Sequence, residues 1–180
     1  MVGSGCFAEE SVARSRAAMW QFVMFVEVVG LLESASGRHI QLYAQEPDYF
    51  PLDEEFLASF DVIVLKHPAA VDVVSSVTFL FCPFVPWKLM LLFLERGDPS
   101  LYIGTNVSEL LETMEHVWRA EAAETSGVAL TDEIGTGSLD DYRSAARRFL
   151  TGRKEYSVPR SDLNVPALHG LKLYWACKPD

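Results

Sequence analysis

A Rossmann-like α/β fold, a mostly parallel sheet with helices on both faces, is predicted for this 180-residue chain by three observations. Three short apolar runs end in small polar, proline or cysteine sets: Ile40 to Pro47, Thr78 to Pro83, and Leu101 to Asn106. Buried parallel strands have this continuous apolar character, and the residues past their carboxyl ends face the ligand crevice of an open α/β sheet. The runs alternate with helical patterns at the spacing of βαβ units. An apolar content of 49% is enough for one core, so residues 1–180 are expected to form a single domain.

Met1 to Phe7 is a glycine-rich turn that opens into a long helix from about Ser11 to Ser34, with Glu9 and Glu10 near its positive end and Ser36-Gly37 as its stop. Ile40 to Ala44 is the first strand, and a short helix is expected near Asp53 to Ser59. Asp61 to Leu65 is a β-branched run closed by His67-Pro68, and Thr78 to Phe81 is the next. Pro86 opens a helix that Gly97-Asp98-Pro99 breaks. Leu101 to Gly104 is a fourth strand. Asn106 then caps a helix whose Val107, Leu110, Leu111, Met114 and Val117 recur at helical spacing, with Glu109 completing a capping box. Gly, Thr, Ser and Asp over about 125–138 read as a flexible connection, followed by a basic helix from Leu139 to Leu150 and a tail over 157–180. In that tail Leu171 to Trp175 is expected to add a last edge strand. Only Met1 and Val2 precede Gly3, so the first strand of a doubly wound sheet is expected to be missing or truncated. The edges this exposes favour a homo-oligomer.

A formal net charge of −10 and a pI near 4.8 exclude a nucleic-acid binder, whose phosphate contacts need clustered Lys and Arg. The apolar stretch from Ala17 to Leu32 is short for a bilayer crossing and carries Gln21 and Glu27, so a helix packed on the sheet is expected and no membrane partner. Cys6, Cys82 and Cys177 form neither a disulfide framework nor a zinc ribbon, and reduced thiols fit a cytosolic or nuclear protein. No spacing of histidines or carboxylates suggests a metal site.

Candidate ligand-binding residues follow from the strand ends. Ser4 and Gly5 could offer backbone N–H groups to a phosphate, although the third fingerprint glycine is replaced by Ala8 and Glu9 and Glu10 would repel an anion. Tyr43, Gln45, Thr105 and Asn106 would line one crevice and suit a neutral polar ligand, while Asn106 as a helix cap and Tyr43 as a core residue are the plainer readings. His67, at a strand end, is the best general acid or base, with Tyr43 and Glu46 as catalytic companions, against the plainer reading of a loop histidine. Cys82, followed by Pro83, presents a thiolate of the kind that ligates haem iron, or is a small buried hydrophobe.

The layout of Gly3, Gly5 and Gln21, then Tyr43-x-Gln45-x-Pro47, Thr78 with Cys82-Pro83, and Tyr102-Ile103-Gly104-Thr105-Asn106 resembles the SRR-like family, named for a plant protein of Sensitivity to Red light Reduced. The likeness covers roughly 1–118 and reaches the Tyr-Trp tail. Glu46 stands where family members usually have Asp, and the full strand before the glycine turn is absent. The resemblance implies a Rossmann-like regulatory domain associated with light and circadian output, cell division and haem metabolism, with no established catalytic residues. The leading expectation is therefore an SRR-like regulatory protein that binds a protein partner or small ligand at the strand-end crevice. A cofactor-independent isomerase, cyclase or lyase using His67, Tyr43 and Glu46 is one alternative. A haem-binding regulator using Cys82 is the other.

Overall fold

The computed structural model describes residues 1–7, 12–123, 139–159 and 165–177. The expected connection over 125–138, Ala8, and the pair Glu9 and Glu10 lie outside the described residues. The element order is α1 (Val12–Ser36), β1 (Leu42–Ala44), α2 (Pro51–Ala58), β2 (Val62–Val64), α3 (Ala70–Val73), β3 (Phe79–Cys82), α4 (Trp87–Gly97), β4 (Leu101–Gly104), α5 (Val107–Ala123), α6 (Leu139–Leu150), β5 (Arg153–Ser157), α7 (Val165–Leu168) and β6 (Lys172–Ala176).

Local chemistry sets several boundaries. Gly37 ends α1 with φ of 66° while its N–H donates to Glu33 O at 2.8 Å, a left-handed stop that glycine adopts without a side-chain clash. Asn106 caps α5 as its sequence position predicts: Oδ1 accepts from Glu109 N at 3.2 Å and Nδ2 donates to Glu109 Oε2 at 3.2 Å. Gln21 ties α1 to α7 by donating from Nε2 to Ala167 O at 3.1 Å.

The sheet differs from the mostly parallel Rossmann-like expectation. β1 and β2 form a two-stranded parallel sheet, and a separate four-stranded mixed sheet has the order β3-β4-β6-β5. Within it β3 and β4 are parallel, but β4 with β6 and β6 with β5 are antiparallel. Two physical causes account for the change. The first is the placement of β6, which enters between β4 and β5 antiparallel to both and is held there by Tyr174, whose hydroxyl accepts from Val107 N at 2.9 Å at the start of α5. The second cause is the short stretch between β1 and β3. Met1 to Gly3 runs there, Val2 pairing with Gln45 in an isolated parallel bridge and donating to Phe81 O at 2.8 Å. Gly3 then turns away with φ of 72°, and Pro83 has no N–H to return a bond to Val2, so the link between the sheets stays one residue deep.

The tail strand also sits differently from its expectation. β6 lies between β4 and β5 rather than at an edge, because Tyr174 is fully buried. The edge on that side is β5, whose Arg153-Lys154-Glu155-Tyr156-Ser157 is mostly exposed; charged, exposed residues suit an edge that must not recruit another chain.

Strand alternation sends side chains to two cores. Leu80, Cys82, Tyr102 and Tyr174 face one, with Met90 and Phe93 of α4 and Ala146 and Phe149 of α6. Phe81 and Ile103 face the other, with Phe22 and Phe25 of α1 and Leu57 of α2.

Candidate functional site

The loops after β1, β2 and β3 converge on the glycine-rich turn. Gly3 and Gly5 both have φ of 72°. A Cβ on Gly3 would stand 2.0 Å from Val85 Cγ1, whereas one on Gly5 would meet nothing within 4 Å. Gly3 is thus a packing glycine, and Gly5 borders open space.

Two of the turn's backbone donors, those of Gly5 and Phe7, are occupied by the protein's own carboxylates. Gly5 N donates to Glu46 Oε2 at 3.2 Å and Phe7 N to Asp53 Oδ1 at 3.0 Å. The second Asp53 oxygen accepts from Phe50 N at 2.9 Å, the returning half of a capping box at the start of α2. Ser4 Oγ lies 2.9 Å from Tyr49 Oη, and burial pushes the Tyr49 phenol well above its ordinary value. A phosphate would have to displace a carboxylate and then sit beside it. The geometry therefore opposes anion binding, in contrast to a dinucleotide turn with open N–H groups.

Gln45 and His67 make a second arrangement. Gln45 is 1% exposed. Its Oε1 accepts from Ala70 N at 2.8 Å and its Nε2 lies 3.2 Å from His67 Nδ1. Ala70 N–H can only donate, so it fixes Oε1 as the acceptor and leaves Nε2 as a donor to His67. The Nδ1 of His67 is then the acceptor, and the neutral ring carries its proton on Nε2. His67 itself is exposed and precedes a cis bond to Pro68. The site thus presents a ring N–H whose tautomer is set by a buried amide.

The other sequence candidates are placed apart. Cys82 is fully buried, and burial pushes its thiol up to about 12. A haem iron needs a thiolate with an open face, so the residues around Cys82 do not fit haem. Asn106 is committed to its cap and also accepts from Tyr174 Oη at 3.2 Å. Thr105 supplies its carbonyl to Tyr102 Oη at 3.3 Å; its hydroxyl lies close enough to act on the Tyr102 phenol, yet completes no hydrogen bond of good geometry. Gly104 is required there, because a Cβ would stand 2.3 Å from Tyr102 Oη and 2.4 Å from Cys82 O. Tyr43 is half-buried, and its carbonyl accepts the Met1 amino group at 2.7 Å. Among the described residues no hydrogen bond joins the Tyr43 hydroxyl to His67 or Glu46. Ser4, Gly5, Gln45, Glu46 and His67 are thus gathered by the first two strand ends, while Thr105 and Asn106 follow β4, beyond β3.

Sequence reasoning missed Asp53, Tyr49 and Tyr174. Tyr174 Oη accepts from Val107 N at 2.9 Å, joining β6 to the start of α5. Asp53 had a usable signal: a carboxylate three residues after Phe50, with Pro51 as the first helical residue, is a helix-start pattern. A cavity of about 300 Å³ was also missed, lined by α4, α6, β5 and the end of β6. Its charges are paired: Arg153 Nη2 with Asp98 Oδ1 at 2.5 Å, and Arg148 with Glu95 at 3.3 Å. The Arg153 guanidinium also lies 4.1 Å over the Phe149 ring, so that cavity wall is a closed structural cluster.

A family model described as the SRR1 domain matches residues 2–175, nearly the whole chain. The chain belongs to the SRR1 domain family. No match is found among curated proteins, and none among solved structures. In this SRR1 domain Glu46 and Asp53 accept from Gly5 N and Phe7 N of the glycine-rich turn, and Lys66 and His67 are both exposed at the neighbouring strand end.

Proposed function

We propose that this SRR1 domain is a regulatory binding module that takes a neutral carbonyl-bearing ligand, either a small molecule or a segment of a protein partner, at the strand-end face beside His67. The observation that carries the reading is the chain Ala70 N–H, Gln45, His67 Nδ1, which fixes the ring tautomer and aims an Nε2–H donor outward. A donor of this kind recognises a carbonyl. The same tautomer disfavours the enzyme alternative, since a general base needs an unprotonated Nε2 and would have to give up the bond from Gln45. Glu46 beside Gly5, together with the net charge of −10, argues for a neutral rather than an anionic ligand.

Titration of ¹⁵N-labelled protein with N-methylacetamide and, separately, with acetate tests this. The amide is expected to shift the resonances of His67, Gln45 and Gly5, acetate to shift them less, and His67→Ala to abolish the response. An amide response confined to other residues would sink the reading.

A further inference from the structure

The two outer edges of the strand assembly, β5 and β2, are built differently. Charged residues blunt β5, whereas β2 is Val62-Ile63-Val64, with no charge or proline in it. Its hydrogen-bonding directions follow from its pairing with β1. Leu65 N donates to Ala44 O at 2.8 Å, and Val64 stands opposite Ala44 in the parallel register. In such a ladder Ile63 turns its N–H and C=O toward β1, and Val62 and Val64 turn theirs to the outer side. Among the described residues no strand or loop backbone bonds to that outer side. Apolar surface accompanies it: Ile63 is 46% exposed, and Phe60 and Val73, on the segments that lead into and out of β2, are 45% and 41% exposed.

The edge is complementary to itself. A second copy of β2 laid antiparallel, with Ile63 opposite Ile63, exchanges N–H and C=O bonds between Val62 of one chain and Val64 of the other, twice. That register places the two Ile63 side chains in the close, non-hydrogen-bonded pair about the axis. Charge selects the same direction. Asp61 precedes the strand and Lys66 follows it, both exposed and neither in an ion pair among the described residues. An antiparallel pair brings the Asp61 end of each chain to the Lys66 end of the other, and a parallel pair would bring like charges together. Self-complementarity of this kind is what a twofold interface requires. We infer that β2 is a homodimerisation edge, joining two copies of this chain through an antiparallel β2–β2 pair centred on Ile63. The inference uses no atom of the His67 ring and is tested without any ligand, so it and the His67 reading can fail separately.

Sedimentation equilibrium of the full chain is expected to give twice the 20.1 kDa chain mass. Ile63→Lys and Ile63→Glu each set like charges directly opposite across the axis and should each raise the dimer dissociation constant at least ~10-fold. An equimolar mixture of the two variants should form a heterodimer, with Lys facing Glu, which excludes misfolding as the cause of the single losses. Hydrogen exchange locates the contact: the Val62 and Val64 amides should be protected in the wild-type dimer and exchange fast in Ile63→Lys. A wild-type chain that stays monomeric overturns the inference, including a monomer whose Val62 and Val64 amides shift on addition of a synthetic alternating Thr/Val peptide. So does a dimer that Ile63→Lys leaves equally tight, a mixture that stays monomeric, or a dimer whose Val62 and Val64 amides exchange fast.

Discussion

Replacing Asp53 should loosen the glycine-rich turn by an amount that depends on how many acceptors the new side chain keeps. Asp53 is 1% exposed and accepts from two backbone donors, Phe7 N at 3.0 Å and Phe50 N at 2.9 Å. A hydrogen bond to a charged acceptor contributes about 1.5–3 kcal/mol, and losing it strands a donor that has left water. Asp53→Ala removes both acceptors, an expected loss of about 3–5 kcal/mol. Asp53→Asn keeps one carbonyl oxygen and turns an NH₂ toward the other donor, an expected loss of about 1.5–3 kcal/mol. At about 2–4 °C per kcal/mol for a chain of this size, the alanine variant melts ~6–20 °C below wild type and the asparagine variant between the two. Urea unfolding followed by tryptophan fluorescence, with calorimetry for Tm, measures both. An alanine variant within about 0.5 kcal/mol of wild type, or an asparagine variant as damaged as alanine, would refute the clamp.

Three other outcomes follow from the same contacts. In the native protein, Ellman's reagent should react quickly with one of the three cysteines, the exposed Cys177, because Cys6 and Cys82 are buried and the Cys82 thiol is pushed up to about 12; a second fast equivalent would contradict this. Tyr174→Phe strands the buried Val107 N–H, now 2.9 Å from the phenol oxygen, and should cost about 1–3 kcal/mol in urea unfolding; a neutral substitution would contradict the role given to the hydroxyl. Lys172, 2.8 Å away, and the Ser108 hydroxyl at 2.7 Å hold Glu155 below its ordinary 4.5. The folded value lies below the unfolded one, so this stabilisation is complete above about pH 4.5 and is lost as pH falls through the folded value. Glu155→Gln should therefore flatten the fall in urea midpoint between pH 5 and 3, and an unchanged slope would count against the pairing.

Much of the fold was legible where side-chain periodicity is local. The apolar runs at β1 to β4, the Asn106 cap and the Gly37 stop each carry their own chemistry. The sheet arrangement was not legible, because it depends on matters that periodicity does not encode. β5 reads as an exposed charged segment and takes strand form only because β6 is there to pair with it. The direction of β6 is set by its pairing with β4 and β5, which a segment that reads as a tail does not encode. At the site, His67 and Glu46 stood out as titratable residues at strand ends. Their states are set by residues distant in sequence: the Ala70 N–H orients Gln45, and the Gly5 N–H takes up Glu46. Cys82 looked reactive in sequence because burial is invisible there; the structure makes it a core thiol.

The central claim is that buried Gln45 holds the His67 ring with its proton on the outward nitrogen. Long-range ¹H–¹⁵N correlation spectra of histidine-labelled protein, recorded above the titration range of the ring, read that tautomer directly. The account predicts a protonated Nε2 and an unprotonated Nδ1 for His67, with the preference lost in Gln45→Leu. A proton found on Nδ1 in the wild type, or a tautomer unaffected by Gln45→Leu, would contradict it.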